Sequence, residues 1–176
     1  NTFKYTNILP EKAKRYKNHF IALAVASSWN KDKGTDDIIE VSKQIPELTI
    51  LIIGKSDGQF EQYKNIISIG SIKDVNEMAK YYSCVDIFLN PSKQETFGKT
   101  TAEALACGTP VVAYNSTAFK ELIDSSRGAL AEYGNQIDYL EKVKEVMKKG
   151  RKYYSCAARR FAEEHFNGKI NMELYY

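Results

Sequence analysis

The strongest constraint on this chain is a repeated alternation of short apolar runs with amphipathic stretches. Phe20-Ile21-Ala22-Leu23-Ala24-Val25-Ala26 is apolar throughout, as suits a strand buried on both faces. A polar turn at 30–34 and the spacing of Ile38, Ile39, Val41 and Ile45 predict a helix after it. The pattern then recurs, with strands expected at 48–53, 66–69, 85–89 and 110–113, and a short one at 128–130. Helices are expected over 75–82, 99–107, 118–123 and 153–165, with another marked by Leu140, Val143, Val146 and Met147. No hairpin signal joins two strands. Such alternation requires parallel pairing through right-handed crossovers, so the fold class is α/β, a doubly wound parallel sheet. Ligands of these sheets bind beyond the carboxyl ends of the strands, which selects segments 27–34, 54–58, 70–74 and 90–98.

The chain has 176 residues, enough for one domain with a full core. It begins at Asn1 rather than Met, which reads as an excised or processed piece, and residues 1–18 read as a polar lead-in from something upstream. A net charge of +3, with lysines and acids interleaved, disfavours a nucleic-acid partner. The densest basic stretch, 142–160 with Lys148, Lys149, Arg151 and Lys152, reads first as a solvated helix face and second as a peripheral contact with an anionic membrane. Cys84, Cys107 and Cys156 form no pairing pattern, and no secretory segment or membrane-length apolar run is evident, so a cytoplasmic setting is expected. Asn115-Ser116-Thr117 is read as a turn rather than a glycosylation site.

Several familiar motifs fail. The first strand is not followed by G-x-G-x-x-G, which removes the dinucleotide fingerprint. Gly98-Lys99-Thr100 resembles the end of a P-loop, but Lys93 stands where the motif needs its first glycine. His19 and His165 are isolated, and neither a metal nor a cofactor is expected. Ser92 and Ser116 lack the context of a nucleophile elbow.

The dense signal is the stretch from Asn90 to Val112. A strand ends at Leu89, Pro91 prevents its continuation, a loop carries Glu95, and a helix starts near Phe97 or Gly98. Glycine at that point lets a ligand approach the backbone. The first turn of the helix offers amides and a partial positive charge to phosphate, and Thr100 and Thr101 are candidate hydroxyl donors. Glu103 follows eight residues after Glu95, in a run of alanines and leucine. A carboxylate can accept two hydrogen bonds from vicinal hydroxyls such as those of ribose. Two carboxylates flanking a phosphate seat suit a sugar nucleotide.

This stretch resembles the E-x7-E signature of retaining GT-B glycosyltransferases, particularly their family 4, whose form P-S-x-x-E-x-F-G … E-A-x-A-x-G-x-P-V-V is matched at every named position. Lys33-Gly34 resembles the same family's K-G after the first strand of its Rossmann-like C-terminal domain. The resemblance implies that residues 1–18 lead in from a missing N-terminal acceptor domain, that 19–150 bind the nucleotide sugar, and that 151–176 hold a helix packing toward the missing domain. It implies a UDP- or GDP-hexose donor, transfer to an acceptor hydroxyl with retention, and a place in cell-surface polysaccharide or glycan synthesis, at the inner face of the membrane. The fragment alone is expected to be inactive. Glu95 is implied to contact the donor sugar, Glu103 the ribose, and Lys33 the diphosphate. Amides around Phe97, Gly98 and Lys99, beside the candidate donor Thr100, are implied to contact the sugar and phosphates, and the backbone of Gly70, Ser71 and Ile72 the base. Ser28 and Ser27 stand where the family has an arginine beside the diphosphate, so Lys31 or Lys99 would have to supply that charge. That departure keeps open a catalytically degenerate binding module, and a GT-B-like epimerase is the other alternative.

Overall fold

A computed structural model describes residues 3–6, 8, 10–16, 18–93 and 98–166. Six strands form one sheet: β1 (Phe20–Ser28), β2 (Leu48–Lys55), β3 (Ile66–Gly70), β4 (Ile87–Asn90), β5 (Val111–Tyr114) and β6 (Gly128–Ala131). Every pairing is parallel, and the order is β3-β2-β1-β4-β5-β6. Six helices connect and flank them: α1 (Thr35–Gln44), α2 (Val75–Cys84), α3 (Lys99–Ala106), α4 (Thr117–Lys120), α5 (Gln136–Lys149) and α6 (Arg151–His165).

The apolar runs are continuous because alternate side chains enter two cores. Ala22, Ala24, Ile50, Ile52 and Leu89 face one side with Ile38 of α1 and Val143 of α5. Ile21, Leu23, Leu51, Ile53 and Phe88 face the other with Ala79 of α2, Leu105 of α3 and Ala158 of α6.

Most boundaries shift by one or two residues from the sequence reading, and the shifts at β4, β1 and α4 show why. β4 starts at Ile87 rather than Val85, because Val85 closes α2 and the Asp86 carboxylate accepts the Ile21 amide at 2.8 Å. β1 extends to Ser28, which pairs with Lys55 beyond an irregularity in the register. α4 is only four residues long, since the Leu122 amide bonds to Phe119 O three residues back and tightens the chain into a turn. The turn expected at Asn115–Ser116 leads directly into that helix.

Part of the polar lead-in packs on the sheet. A 3-10 turn spans Glu11–Tyr16, Ala13 is fully buried, and Lys12 Nζ donates to Ile69 O at 2.9 Å. Arg151 fastens the opposite, amino edge of the sheet. Its guanidinium donates to the carbonyls of Ser83, Val85, Cys107 and Gly108, and lies 5.3 Å from the Tyr5 ring centroid. Among the described residues no helix is long and apolar enough to cross a membrane.

Candidate functional site

The chain order reverses direction between β1 and β4, so a crevice opens there at the carboxyl edge. Two turns build it. After β1, Asn30 Oδ1 accepts the Lys33 amide at 3.0 Å, and Gly34 turns the chain into α1 with φ 76°. After β4, Pro91 packs so closely on Gly34 that a Cβ there would lie 2.5 Å from Pro91 Cγ. The Lys93 amide donates to Asp32 O at 2.9 Å and ties the loops together. Between them lies a recess of about 90 Å³ whose lining includes Ser27, Trp29, Lys33, Asn90 and Thr100. Trp29 is held by its indole N–H on Ile53 O at 3.2 Å.

Helix α3 starts at this recess. Gly98 caps it with φ 73°, and a Cβ there would meet Phe119 at 3.0 Å and Leu122 at 3.1 Å. The amides of the first turn have no intrahelical acceptor, so they and the helix dipole are directed at the crevice. Asn90 Nδ2 donates to Thr101 Oγ1 at 3.1 Å, and Thr101 is fully buried. Thr101 therefore secures the helix to β4, and of the two candidate hydroxyls it is Thr100 that lines the recess.

Glu103 lies one turn further along α3, outside the residues lining the recess. Tyr82 of α2 donates its hydroxyl to Glu103 Oε2 at 2.9 Å. Burial pushes the Glu103 carboxyl above the usual glutamate range, against the opposing pull of the Tyr82 hydrogen bond and the Lys99 charge. Burial, and then the neighbouring Glu103, hold the Tyr82 phenol protonated, well above its ordinary value. Glu103 Oε1 accepts no hydrogen bond from the described residues.

The remaining candidates separate into groups. Lys33 and Thr100 share the recess, with Lys99 exposed at the head of α3. Ser27 lines it, whereas Ser28 and Lys31 are exposed beside it. Gly70, Ser71 and Ile72 lie at the end of β3, with β2 between them and β1. Glu95 and Phe97 lie outside the described residues. Among the described residues no group of three or more His, Cys, Asp or Glu is arranged to hold a metal ion.

The sequence reading missed Tyr82 as a partner of Glu103, having placed it only at the end of the helix expected over 75–82. It also missed Asp37, buried at the start of α1, whose Oδ1 accepts Tyr114 Oη at 2.6 Å and Gln136 Nε2 at 3.2 Å. A charged residue one position before an apolar helical stripe was the available signal.

A parallel 3-2-1-4-5-6 sheet with a glycine-capped helix and a lysine at its switch point defines a doubly wound domain suited to a phosphorylated ligand. Residues 19–149 match the family described as glycosyl transferases group 1. The chain belongs to that family. It is 27% identical over 171 residues to alpha-galactosylglucosyldiacylglycerol synthase of Streptococcus pneumoniae, an alignment covering 84% of this chain and 43% of the relative. The chain thus spans less than half of that relative's length. In fold it is similar to the C-terminal domain of the glycosyl transferase group 1 family protein LpcC from Francisella tularensis, with TM-score 0.76 and 23% identity, covering 96% of this chain and 97% of that one. Anabaena HepE, solved in complex with UDP-glucose, has TM-score 0.75 and 20% identity over 94% of this chain and 50% of its own.

Proposed function

We propose that this chain is the nucleotide-sugar-binding part of a retaining glycosyltransferase that moves a hexose from a UDP- or GDP-linked donor to an acceptor hydroxyl. The observation that carries this reading is the arrangement along α3. Thr100 opens on the recess beside Lys33, and Glu103, one turn on, keeps Oε1 unengaged by the described residues. In this reading Lys33 and the first-turn amides stabilise charge on the departing diphosphate, with no metal required. Glu103 accepts the ribose hydroxyls, Glu95 and Phe97 meet the donor sugar, and the backbone at 70–72 meets the base.

The acceptor site and the rest of the catalytic apparatus belong to a further, N-terminal domain of a longer enzyme. The pneumococcal relative, more than twice as long as the matched stretch, supports this. Its name as an alpha-galactosylglucosyldiacylglycerol synthase supports a role in glycolipid synthesis, and in this reading the enzyme makes cell-surface glycolipid or polysaccharide at the inner face of the membrane. Exposed Lys148, Lys149 and Lys152, at the turn between α5 and α6, would provide a peripheral contact with anionic lipid.

The test is calorimetric titration of this chain with UDP and GDP. One of them is expected to bind, and Glu103→Ala to weaken it by about tenfold or more, as for loss of charged hydrogen bonds. Absence of heat with every nucleoside diphosphate would overturn the reading. Ser27 at the recess, where the family has arginine, favours a second reading: a module that binds donor without supporting turnover. Sugar transfer by the full-length enzyme decides between the two.

A further inference from the structure

Tyr82 is fully buried, yet its hydroxyl is engaged by a side chain on another helix rather than by backbone. Its ring packs edge-on against Phe88 of β4 at 5.4 Å and against Phe3 of the lead-in at 5.9 Å. Its own carbonyl accepts the Thr109 hydroxyl. The phenol therefore cannot swing away without unpacking one face of the sheet. If packing were the only requirement, phenylalanine would fill the same space with no polar atom to satisfy. The hydroxyl is explained by what it meets: a partly exposed carboxylate on α3, held at one oxygen and, among the described residues, open at the other.

We propose that Tyr82 is the positioning residue for ligand recognition by Glu103, fixing the carboxylate through Oε2 so that Oε1 is presented to a vicinal diol. This rests on the reading of Glu103 as the ribose contact. A carboxylate on a helix surface samples several rotamers, and restraining it before the ligand arrives removes that ordering cost from binding. Thr100, three residues earlier on α3, then lies a fixed distance from the diol contact.

Tyr82 also bears on the charge of Glu103. Burial pushes that carboxyl up, and the Tyr82 hydrogen bond and Lys99, four residues back on α3, hold it down. Cys107, four residues on, is kept as a thiol because burial pushes it up to about 11. Arg159 of α6 lies over Gly108, the next residue, and acts on Cys107. From β4 the neighbour of Tyr82 is the apolar Phe88. An ionised Glu103 accepts both hydroxyls of a diol more strongly than the neutral acid, which turns one of its oxygens into a donor. Removing the Tyr82 donor raises the pH at which that form is lost, so binding should fail at a higher pH as the solution is acidified.

The experiment measures UDP or GDP affinity by calorimetry across pH for the wild type, Tyr82→Phe, Glu103→Ala and the double variant. Tyr82→Phe is expected to bind roughly fivefold more weakly or worse at neutral pH, as for one lost hydrogen bond. Its acid edge should move upward, and it should have no further effect in the Glu103→Ala background. An unchanged affinity and acid edge in Tyr82→Phe would overturn the inference, as would an equal loss in both backgrounds, which marks a packing role. Neither outcome touches the donor reading, which fails only if the wild type binds no nucleotide. Should Tyr82→Phe not fold, fluorination of the Tyr82 ring makes the phenol a stronger donor at nearly the same size. It should move the acid edge downward, and an edge that stays put overturns the proposal.

Discussion

Tyr114 at the end of β5 donates its hydroxyl at 2.6 Å to the buried carboxylate of Asp37 in the first turn of α1. The bond joins the far side of the sheet to the helix that starts directly after the Lys33–Gly34 turn. Asp37 Oδ1 has one other donor, Gln136 of α5, and Oδ2 has none. Burial, and then the bond to Asp37, push the Tyr114 phenol well above its ordinary value, so it remains a donor throughout the accessible pH range. Tyr114→Phe is expected to cost about 1.5–3 kcal/mol, the range for a hydrogen bond to a charged group. Chemical denaturation with an unchanged m-value would show this.

Arg151 predicts a larger loss. Four carbonyls from two turns converge on its guanidinium. Arg151→Ala leaves them buried or half-buried without their donor, for about 3 kcal/mol or more. At this chain length that lowers Tm by roughly 6–12 °C. Arg151→Lys should recover little of it, since one ammonium cannot span four acceptors in a plane. Differential scanning calorimetry of the two variants tests both statements.

Gly34→Ala should damage the crevice directly. The backbone there is left-handed, and the added methyl would overlap Pro91 at three atoms, each 2.5–2.6 Å away. The left-handed conformation alone costs about 1–2 kcal/mol for alanine, and the Pro91 loop must move in addition. Nucleotide affinity should fall more than Tm does, because Lys33 is the neighbouring residue. Titration and thermal melting of the same preparation check the ratio.

Glu103→Gln should separate stability from binding. The folded-state pKa of Glu103 is raised, chiefly by burial. Its contribution to stability is therefore full below the ordinary glutamate range and is lost as pH rises through the raised value. At neutral pH the wild type carries the cost of a buried charge, which glutamine removes while still accepting from Tyr82. A gain on the order of 1 kcal/mol is expected at pH 7, of the size common at functional sites. The gain should shrink in acid, where the wild-type carboxyl is neutral too. Nucleotide binding should nevertheless weaken, and melting curves at pH 4 and pH 7 beside titrations test both.

The strands were legible because burial on both faces leaves uninterrupted apolar runs, and Phe20–Ser28 and Leu48–Lys55 show it most plainly. The head of α3 was legible for a local reason: a strand, a proline, a glycine and a helix in succession place that end at the carboxyl edge. Longer-range pairings were not. Tyr82 and Glu103 lie 21 residues apart on different helices, and Asp37 and Tyr114 lie 77 apart. Nothing in local spacing says which hydroxyl a carboxylate will meet. The burial of Thr101, a candidate hydroxyl donor, went unread for the same reason, its partner Asn90 being on the preceding strand. The turn at Glu11–Tyr16 went unread because it is too short to show a period.

Thr100 and Glu103 ride on one continuous helix, so their separation is set by about 4.5 Å of axial rise. Loop motion around the crevice cannot stretch or shorten that interval. If Glu103 meets the ribose as proposed, helix α3 behaves as a gauge that measures the part shared by all ribonucleotides, from phosphate to diol, and is blind to the base. In the same proposal, preference between one base and another is decided where β3 ends and can change there without recalibrating the gauge.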